Sequence, residues 1–482
     1  MLPSLIAQIV IGTTGFVAAI LFLYGLKRMS SPDTAASGIR VAGLGMLVAV
    51  LAAFLYAFDV DAAARPHLGV NLGLAALALA IGGSIAWWAG RTVKMTAMPQ
   101  MVALYNGLGG GAAGAIAAVE LFGNRAVGVT QLVVTLLGAL IGAISLSGSL
   151  IAWAKLDSIL KRPLQFRAQQ AINAVVAIAM LAVAVLIVVA AEGLALPLSL
   201  PELICVFFGL ALLLGILATL PIGGADMPVV ISIYNACTGV AVGLEGYVLQ
   251  NPALMIAGMV VGAAGTLLTL LMAKAMNRSV TSVLFKAYGP AKKHAHGAMT
   301  GSEKPIEAGD AAIFMRYAKS VIIVPGYGLA VSQGQQKLYD FVKLLLAAGV
   351  GVRFAIHPVA GRMPGQMDVL LAEAGVPYDM IFQLADINDQ FATTDVALVI
   401  GANDVVNPAA RTDKSSPVYG MPILNVDEAK HAYVVKRGQG KGYAGIENAL
   451  FYAPNTEMVY GDAAAVLTKM IEAVRGLGSA AA

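Results

Sequence analysis

Between residues 4 and 273 the chain repeats one pattern, a long apolar run closed by a short polar connection. A helix that crosses a ~30 Å hydrocarbon layer needs about 20 apolar residues in a row. Runs at 4–26, 37–58, 68–90, 98–122, 127–154, 168–191, 200–221, 226–248 and 251–273 are of that length. The pattern predicts a polytopic α-helical membrane domain over residues 1–276, with a transmembrane helix for each run. The first run has no basic flank before it and is longer than a signal-peptide core, so it is expected to persist as a span. Residues 277–310 are a predicted linker. Within it, GPAKKHAHGAMTGSEKPIEAGD (289–310) has the glycine, proline and lysine content of a solvated tether, with His294 and His296 in water.

From 311 to 482 short apolar segments alternate with amphipathic ones. SVIIVPG (320–326), GVRFAIHP (351–358), VALVIG within 391–401, Met421–Val426 and His431–Val435 read as strands. Val331–Ala348, stopping at Gly349, and Gln366–Ala374 read as helices. Strands alternating with helices predict a doubly wound, parallel α/β Rossmann-like domain.

Charge sharpens this division. Residues 1–276 hold 12 Lys/Arg and 9 Asp/Glu, whereas 277–482 hold 19 and 18. A hydrophobic content of 59% exceeds the roughly 45–50% of soluble domains, and mean hydropathy is +0.79. Net charge is only +4 and no basic stripe interleaves with aromatics, so nucleic acid is not an expected partner. Cys205 and Cys237 sit in apolar stretches and are expected to be small buried hydrophobes. The connections 27–40, 91–97 and 155–167 carry Lys27, Arg28, Arg40, Arg91, Lys94, Lys155, Lys161, Arg162 and Arg167. The alternate connections carry Arg65 and Arg125. Basic residues favour the cytoplasmic side, which predicts an outside N-terminus and a cytoplasmic C-terminal domain. Lys274, Arg278 and Lys286, after the last run, agree.

Polar groups inside the spans are the next candidates, because each is costly unless it is paired or lines a wet path. Asn106, Ser149, Asn173 and Asn235 lie well inside predicted spans. Asp226 stands at a span entrance, and Glu120 and Glu245 near the opposite ends of theirs. No span holds a histidine or a central carboxylate. Glycines at i, i+4 (Gly107/Gly111, Gly110/Gly114, Gly138/Gly142, Gly239/Gly243, Gly258/Gly262) suit close helix packing.

In the C-terminal domain the first strand runs into Gly326-Tyr327-Gly328-Leu329-Ala330-Val331, a GxGxxV turn. Glycines here permit a tight turn and close approach to a pyrophosphate at the start of the next helix. A site for unphosphorylated ribose ordinarily places Asp or Glu at the end of the second strand. This strand instead ends Ile356-His357-Pro358, followed by Gly361-Arg362. Lys436 and Arg437, with Gly438, Gly440 and Gly442 behind them, supply the paired cations that a phosphorylated ribose needs.

Six segments carry a resemblance over essentially the whole chain. They are GGADMPVVISIYNA (223–236), KAMNRS (274–279), VPGYGLAVSQGQ (324–335), HPVAGRMPGQM (357–367), VIGANDVVNPAA (399–410) and KRGQGKGYAGIEN (436–448). On these the chain closely resembles the β subunits of proton-translocating NAD(P) transhydrogenase. The resemblance implies an NADP(H)-binding C-terminal domain and a membrane domain that forms most of a proton channel. Hydride transfer between NAD(H) and NADP(H) would be coupled to proton movement. Cofactor contacts are implied at Tyr327 with Gly326, Gly328, Ala330 and Val331; at Val359, Ala360, Gly361, Arg362, Met363 and Pro364; and at Gly401, Ala402, Asn403, Asp404 and Val405. A lid is implied at Lys436, Arg437, Gly438, Gln439, Gly440, Lys441, Gly442 and Tyr443, with Lys436 and Arg437 on the 2′-phosphate. Gly420, Met421 and Asp462 are more distant carry-overs. Asp404 matches an acid near the nicotinamide linked to proton coupling. In the membrane, Asn106, Ser149, Asp226 and Asn235 match positions tied to the proton path.

One departure is at Asn106, where some members carry histidine. Asn does not titrate near neutrality and His does, so a relaying histidine would come from a partner. A lone dinucleotide fold likewise cannot face two nicotinamides. An α subunit, of one or two chains, is therefore expected to bring NAD(H), in a dimer of αβ units embedded in lipid. The absence of a transit peptide points to a bacterial inner membrane, with the N-terminus periplasmic. A channel or transporter gated by a cytoplasmic nucleotide-sensing domain fits the coarse features too. It would call for the missing acid on the second strand and for a selectivity filter or a central ionisable pair, and neither is present.

Overall fold

The computed structural model describes residues 2–56, 67–123, 128–160, 164–166, 168–194, 197–223, 226–285, 302–363, 365–438, 440, 442 and 444–479. The chain forms two compact units, one of residues 1–221 with 231–267 and one of 222–230 with 268–482.

Nine described helices are long and apolar enough to cross a membrane. They are α1 (Leu2–Met29), α2 (Pro32–Tyr56), α3 (Leu68–Thr92), α4 (Met98–Phe122), α5 (Val129–Leu156), α6 (Gln169–Ala191), α7 (Leu200–Thr219), α8 (Met227–Val248) and α9 (Pro252–Ala275). In a lipid solvent, burying leucine against leucine gains little, so helices must associate through close contact and paired polar groups. The glycines serve this. A Cβ on Gly142 of α5 would stand 2.6 Å from the Gly110 carbonyl oxygen of α4, and one on Gly258 of α9 would stand 2.5 Å from the Gly243 Cα of α8. Larger side chains fill the space that remains, with Leu136, Met180, Ile187 and Phe207 joining α5, α6 and α7. No residue of α3 is buried by this chain. Cys205 is exposed on α7 and Cys237 half-buried, against the expectation of two buried thiols. An apolar span faces lipid as readily as its own core, so an apolar context does not imply burial here.

The second unit is built on six parallel strands in the order β3-β2-β1-β4-β5-β6. These are β1 (Ser320–Pro325), β2 (Gly351–Ile356), β3 (Ile381–Gln383), β4 (Val396–Ile400), β5 (His431–Lys436) and β6 (Thr456–Tyr460). Every residue of β4 is buried, as a central strand covered on both faces requires. Strand order reverses between β1 and β4, which pair in register from Val321↔Val396 to Pro325↔Ile400. The crevice beyond their C-terminal ends is where sheets of this topology bind ligands. The helices after the membrane spans are α10 (Val280–Phe285), α11 (Ala308–Tyr317), α12 (Tyr327–Val331), α13 (Gln335–Ala347), α14 (Gln366–Glu373), α15 (Leu384–Ile387), α16 (Ala409–Thr412) and α17 (Ala463–Ser479).

Two expectations are corrected. The helix expected from Val331 begins at Gln335. Before it come the five-residue α12 and a break at Ser332–Gly334, where Gln333 takes a left-handed φ of 52°. Met421–Val426 is not a strand. Its backbone groups are satisfied one by one instead of by a ladder: Leu424 N–H donates to Val405, Asn425 N–H to the Asn388 side chain, and the Pro422 carbonyl accepts from His357. Strands β3 and β6 had not been expected.

Candidate functional site

At the crevice, the loops after β1 and β4 touch backbone to backbone. A Cβ on Gly326 would meet the Ala402 Cα at 2.5 Å, and one on Gly328 would meet the Gly401 Cα at 2.7 Å. Gly401 itself sits at a φ of 76°, a conformation that favours glycine. The amides of this turn are already engaged, Gly326 N–H with Ile400, Tyr327 with Ala360 and Gly328 with Gly401. The glycines therefore lock three loops together, and an anion at this site depends chiefly on side-chain cations.

Those cations surround a cavity of about 680 Å³, a size typical of small-molecule sites. Its wall includes Tyr327, Gly328 and Val331 from the first loop, Val359–Arg362 from the second and Gly401–Val405 from the third. Met421, Lys436, Arg437, Gly438, Gly440 and Gly442 complete the share of the wall that the sequence predicted. The Arg362 guanidinium lies over the Tyr327 ring, 4.4 Å from its centroid, so each fixes the other's orientation. Lys436 ends β5 with its ammonium 4.3 Å from the Phe451 centroid. Burial pulls Lys436 below the usual lysine range, against the attraction of Glu303 and Glu447. Arg437 pairs with Asp462 at 3.0 Å.

The supporting contacts explain why the loops hold their shape. His357, at the end of β2, is 2% exposed. Its Nδ1 accepts the Val359 N–H at 3.1 Å, and its Nε2 lies 2.7 Å from the Pro422 carbonyl. Because a carbonyl only accepts and an amide only donates, the ring is neutral with its proton on Nε2. Burial pulls its pKa down to about 4, opposed by the Pro422 bond. Asp404 accepts the Ala444 N–H at 2.8 Å and lies against Gly442, pinning the end of the glycine loop. Asn448 donates to the Asn403 carbonyl at 3.0 Å, and the fully buried Asn407 donates to Glu447 at 3.0 Å.

Of the remaining sequence-predicted residues, Gly326 and Ala330 are buried behind the wall and Asp462 stands beside it. Gly420 lies against Asn277, and Met363 lies on the loop after β2. Pro364, Gln439, Lys441 and Tyr443 lie outside the described residues, as do Arg65, Arg125, Lys161, Arg162, Arg167, Lys286, His294 and His296. Sequence reasoning did not find Pro228, Met272, Met276 or Arg278, which also line the cavity. Asp226 belongs to the same unit and meets Arg278 with both carboxylate oxygens at 3.0 Å.

In the first unit a second polar arrangement links α4, α5, α7 and α8. The Asn106 amide donates to Ser149 at 3.0 Å, and the Thr238 hydroxyl lies 3.4 Å from the Asn106 carbonyl. The Thr238 hydroxyl is 2.6 Å from that of Ser145, which lies 3.1 Å from the Tyr234 carbonyl, so two hydroxyl protons serve three contacts. The Tyr234 hydroxyl meets Thr219 at 2.5 Å and packs on Gly148. Asn106 and Ser149 are thus brought together. Asn235 is half-buried on α8 and makes no side-chain hydrogen bond among the described residues, and Asn173 is half-buried on α6. Ser145, Thr219, Tyr234 and Thr238 were missed. Their only sequence signal was a hydroxyl at helical spacing from a glycine.

Comparison with known proteins gives one consistent result. The family described as "PNTB: NAD(P) transhydrogenase beta subunit" matches residues 11–473. NAD(P) transhydrogenase subunit beta from Rhodospirillum rubrum is 44% identical over 473 residues, covering 95% of this chain and 97% of its own length. The protein of the same description from a specified strain of that species matches equally.

Proposed function

We propose that this chain, which belongs to the NAD(P) transhydrogenase beta subunit family, binds NADP(H) in the cavity of its second unit and carries most of a proton path through its membrane helices. A partner α subunit, of one or two chains, holds NAD(H), and hydride passes between the two nicotinamides in step with proton movement. The observation that carries this reading is the cation arrangement at the cavity. Strand β2 is followed by a neutral histidine and a proline with no acid for a free 2′-hydroxyl, while Lys436 and Arg437 line the same cavity as the glycine turn.

The residues present fit a phosphorylated dinucleotide. Arg362, held flat over Tyr327, suits the diphosphate, and Lys436 and Arg437 suit the 2′-phosphate. A phosphate beside Lys436 replaces the hydration that burial removed, and Arg437 gives up or shares Asp462 to reach it. When bound, the nicotinamide supplies the hydride chemistry, and the protein contributes position and exclusion of water. Asp404 couples the loops: protonating its carboxylate weakens its bond to the Ala444 amide, which loosens the loop over the cavity.

In the first unit the Ser149–Asn106–Thr238–Ser145 chain and the Tyr234–Thr219 pair are polar groups of the proton path, and Asp226, paired with Arg278 in the second unit, is a further one. Asn106 relays no proton itself, so the partner supplies a histidine. The basic connections support an N-terminus in the periplasm and a cofactor domain in the cytoplasm of a bacterial inner membrane, and the reading includes a lipid-embedded dimer of αβ units.

The test is titration of the full chain with NADPH and NADH. Tight binding of NADPH with strong selectivity over NADH is expected, and equal affinity would remove the assignment. Replacing Lys436 and Arg437 together by Ala should weaken NADPH binding by about 3 kcal/mol, at roughly 1.5–3 kcal/mol per charged hydrogen bond, and leave the weak NADH binding unchanged.

A further inference from the structure

The last residues of the predicted linker are built into the second unit. Lys304, Pro305 and Ile306 run along the edge strand β6, where the Met458 N–H donates to the Lys304 carbonyl at 2.7 Å and the Ile306 N–H to the Met458 carbonyl at 3.0 Å. Proline has no N–H to give to a ladder, so the pairing consists of these bonds on either side of it. The Lys304 ammonium adds a bond to the Pro454 carbonyl at 2.7 Å. The segment covers an open sheet edge, and in doing so it fixes the position of Glu303, whose carboxylate accepts the Tyr460 hydroxyl.

Tyr460 brings Glu303 to the cation site. It is the register partner of Lys436 across β6 and β5, so the two side chains leave the same face of the sheet on strands about 4.8 Å apart. The Gly461 N–H donates to the Lys436 carbonyl at 2.9 Å and carries that register to the wall of the cavity. Glu303 is therefore close enough to attract the Lys436 ammonium, and it does so ahead of Glu447, the other acid acting there. Desolvation, and then the same carboxylate, push the Tyr460 phenol up to about 12.

Both cations assigned to the 2′-phosphate thus have a carboxylate of this chain near them, Glu303 for Lys436 and Asp462 for Arg437. A phosphate monoester carries roughly −1.5 to −2 charge at pH 7, so it is repelled by each acid as it is attracted by each cation. The two acids differ in what carries them. Asp462 is built into the turn before α17, where it accepts the Ala464 N–H at 3.1 Å. Glu303 rides on the end of the tether.

We propose that Glu303 is a specificity-determining residue of the cavity: it competes with the ribose 2′-phosphate for Lys436, and it makes affinity for the phosphorylated dinucleotide depend on whether the end of the tether is seated on β6. An unphosphorylated dinucleotide brings no charge to that spot and is indifferent to it. By linkage the effect is reciprocal, so a seat that weakens phosphate binding is itself weakened by the phosphate. The inference rests on the assignment of NADP(H) to this cavity.

Titration calorimetry of the full chain with NADPH and with NADH tests it. Glu303→Gln keeps an acceptor for Tyr460 and removes the charge. It should bind NADPH roughly fivefold tighter at low salt, the scale of one solvent-screened charge contact, with NADH affinity unchanged. In about 1 M salt, where screening acts within ~3 Å, the gain should vanish. Glu303→Asp keeps the charge and should bind NADPH as the wild type does. A residue that only anchors the tether predicts otherwise: lower stability in Glu303→Gln with the ratio of NADPH to NADH affinity unmoved, and that result overturns the proposal. Hydrogen exchange on the wild type needs no variant. The Ile306 and Met458 amides should lose protection when NADPH binds and keep it with NADH, and undiminished protection with NADPH also overturns the proposal. Equal binding of both dinucleotides by the wild type removes the NADP(H) reading and the competition with it, whereas a selective wild type with an unmoved ratio in Glu303→Gln removes the competition alone.

Discussion

The two units solve the same problem, how to bring backbone against backbone, in different solvents. In the membrane unit glycine contacts such as Gly258 on Gly243 are the means of association, since lipid gives apolar side chains no reason to leave it. In the second unit the buried strands β1, β4 and β5 supply the driving force. Its glycine contacts, Gly326 and Gly328 on Gly401 and Ala402, are released to shape a cavity. Polar groups divide the same way. Between the membrane helices they are mostly neutral hydroxyls and amides bonded to one another, whereas the cavity gathers Arg362, Lys436, Arg437 and Asp404. One element type builds contact in one unit and a site in the other.

That contrast can be broken by paired substitutions. Gly258→Ala and Gly326→Ala each drive a Cβ into backbone, and each should cost about 3 kcal/mol, the upper range for overpacking. Their consequences should differ. Gly326→Ala should lower NADPH affinity at least tenfold (about 1.4 kcal/mol) in chain that still extracts as folded protein. Gly258→Ala should reduce the yield of folded chain, while the surviving fraction binds NADPH normally. Titration calorimetry on both purified variants decides it, and an equal loss of affinity would erase the distinction.

The second unit should also carry the acid sensitivity. His357 is neutral in the folded chain down to about 4, whereas an unfolded chain protonates it near 6.5. The unfolded state thus binds the extra proton first. Stability is complete above about 6.5 and drains as pH falls toward 4, by up to about 3 kcal/mol at 1.36 kcal/mol per unit of pKa difference. Denaturant midpoints at pH 7 and pH 5 should differ for the wild type. The difference should shrink in His357→Gln, whose amide keeps the bond to the Pro422 carbonyl without titrating. An unchanged slope in that variant would move the acid sensitivity elsewhere.

Much of this was legible beforehand, for physical reasons that also mark where reading stopped. Spans are set by length and polarity alone, so all nine expected runs correspond to helices. Strands β1, β2, β4 and β5 are apolar runs of a buried parallel sheet. Strand β3 has only three residues and β6, TEMVY, carries a glutamate, so neither shows the pattern. Met421–Val426 shows the pattern without the ladder, because its partners are side chains of Asn388 and His357 from elsewhere in the fold. At the cavity, the glycine turn and the Lys-Arg pair announced themselves by spacing. Met272, Met276 and Arg278 did not, since only the folded unit brings them there. The hydroxyl chain was hidden for a related reason: Ser145, Thr219, Tyr234 and Thr238 acquire partners only when each helix has its rotation.

The smallest expected effect tests the membrane half of the contrast. Tyr234→Phe keeps the ring on Gly148 and removes only the hydroxyl that meets Thr219. Thr219→Val removes the other hydroxyl while its shape stays. Hydrogen bonds between membrane helices average about 0.6 kcal/mol in double-mutant cycles, because the dispersed helices find other partners. The coupling energy between these substitutions, read from unfolding in mixed micelles, should therefore be about 0.6 kcal/mol. The Asn403–Asn448 contact, whose alternative partner is water, should give about 1 kcal/mol, typical of soluble proteins. Should the membrane pair prove the stronger by a wide margin, polar bonding rather than glycine contact would hold these helices together, and the glycines would have to be read as clearance for those bonds.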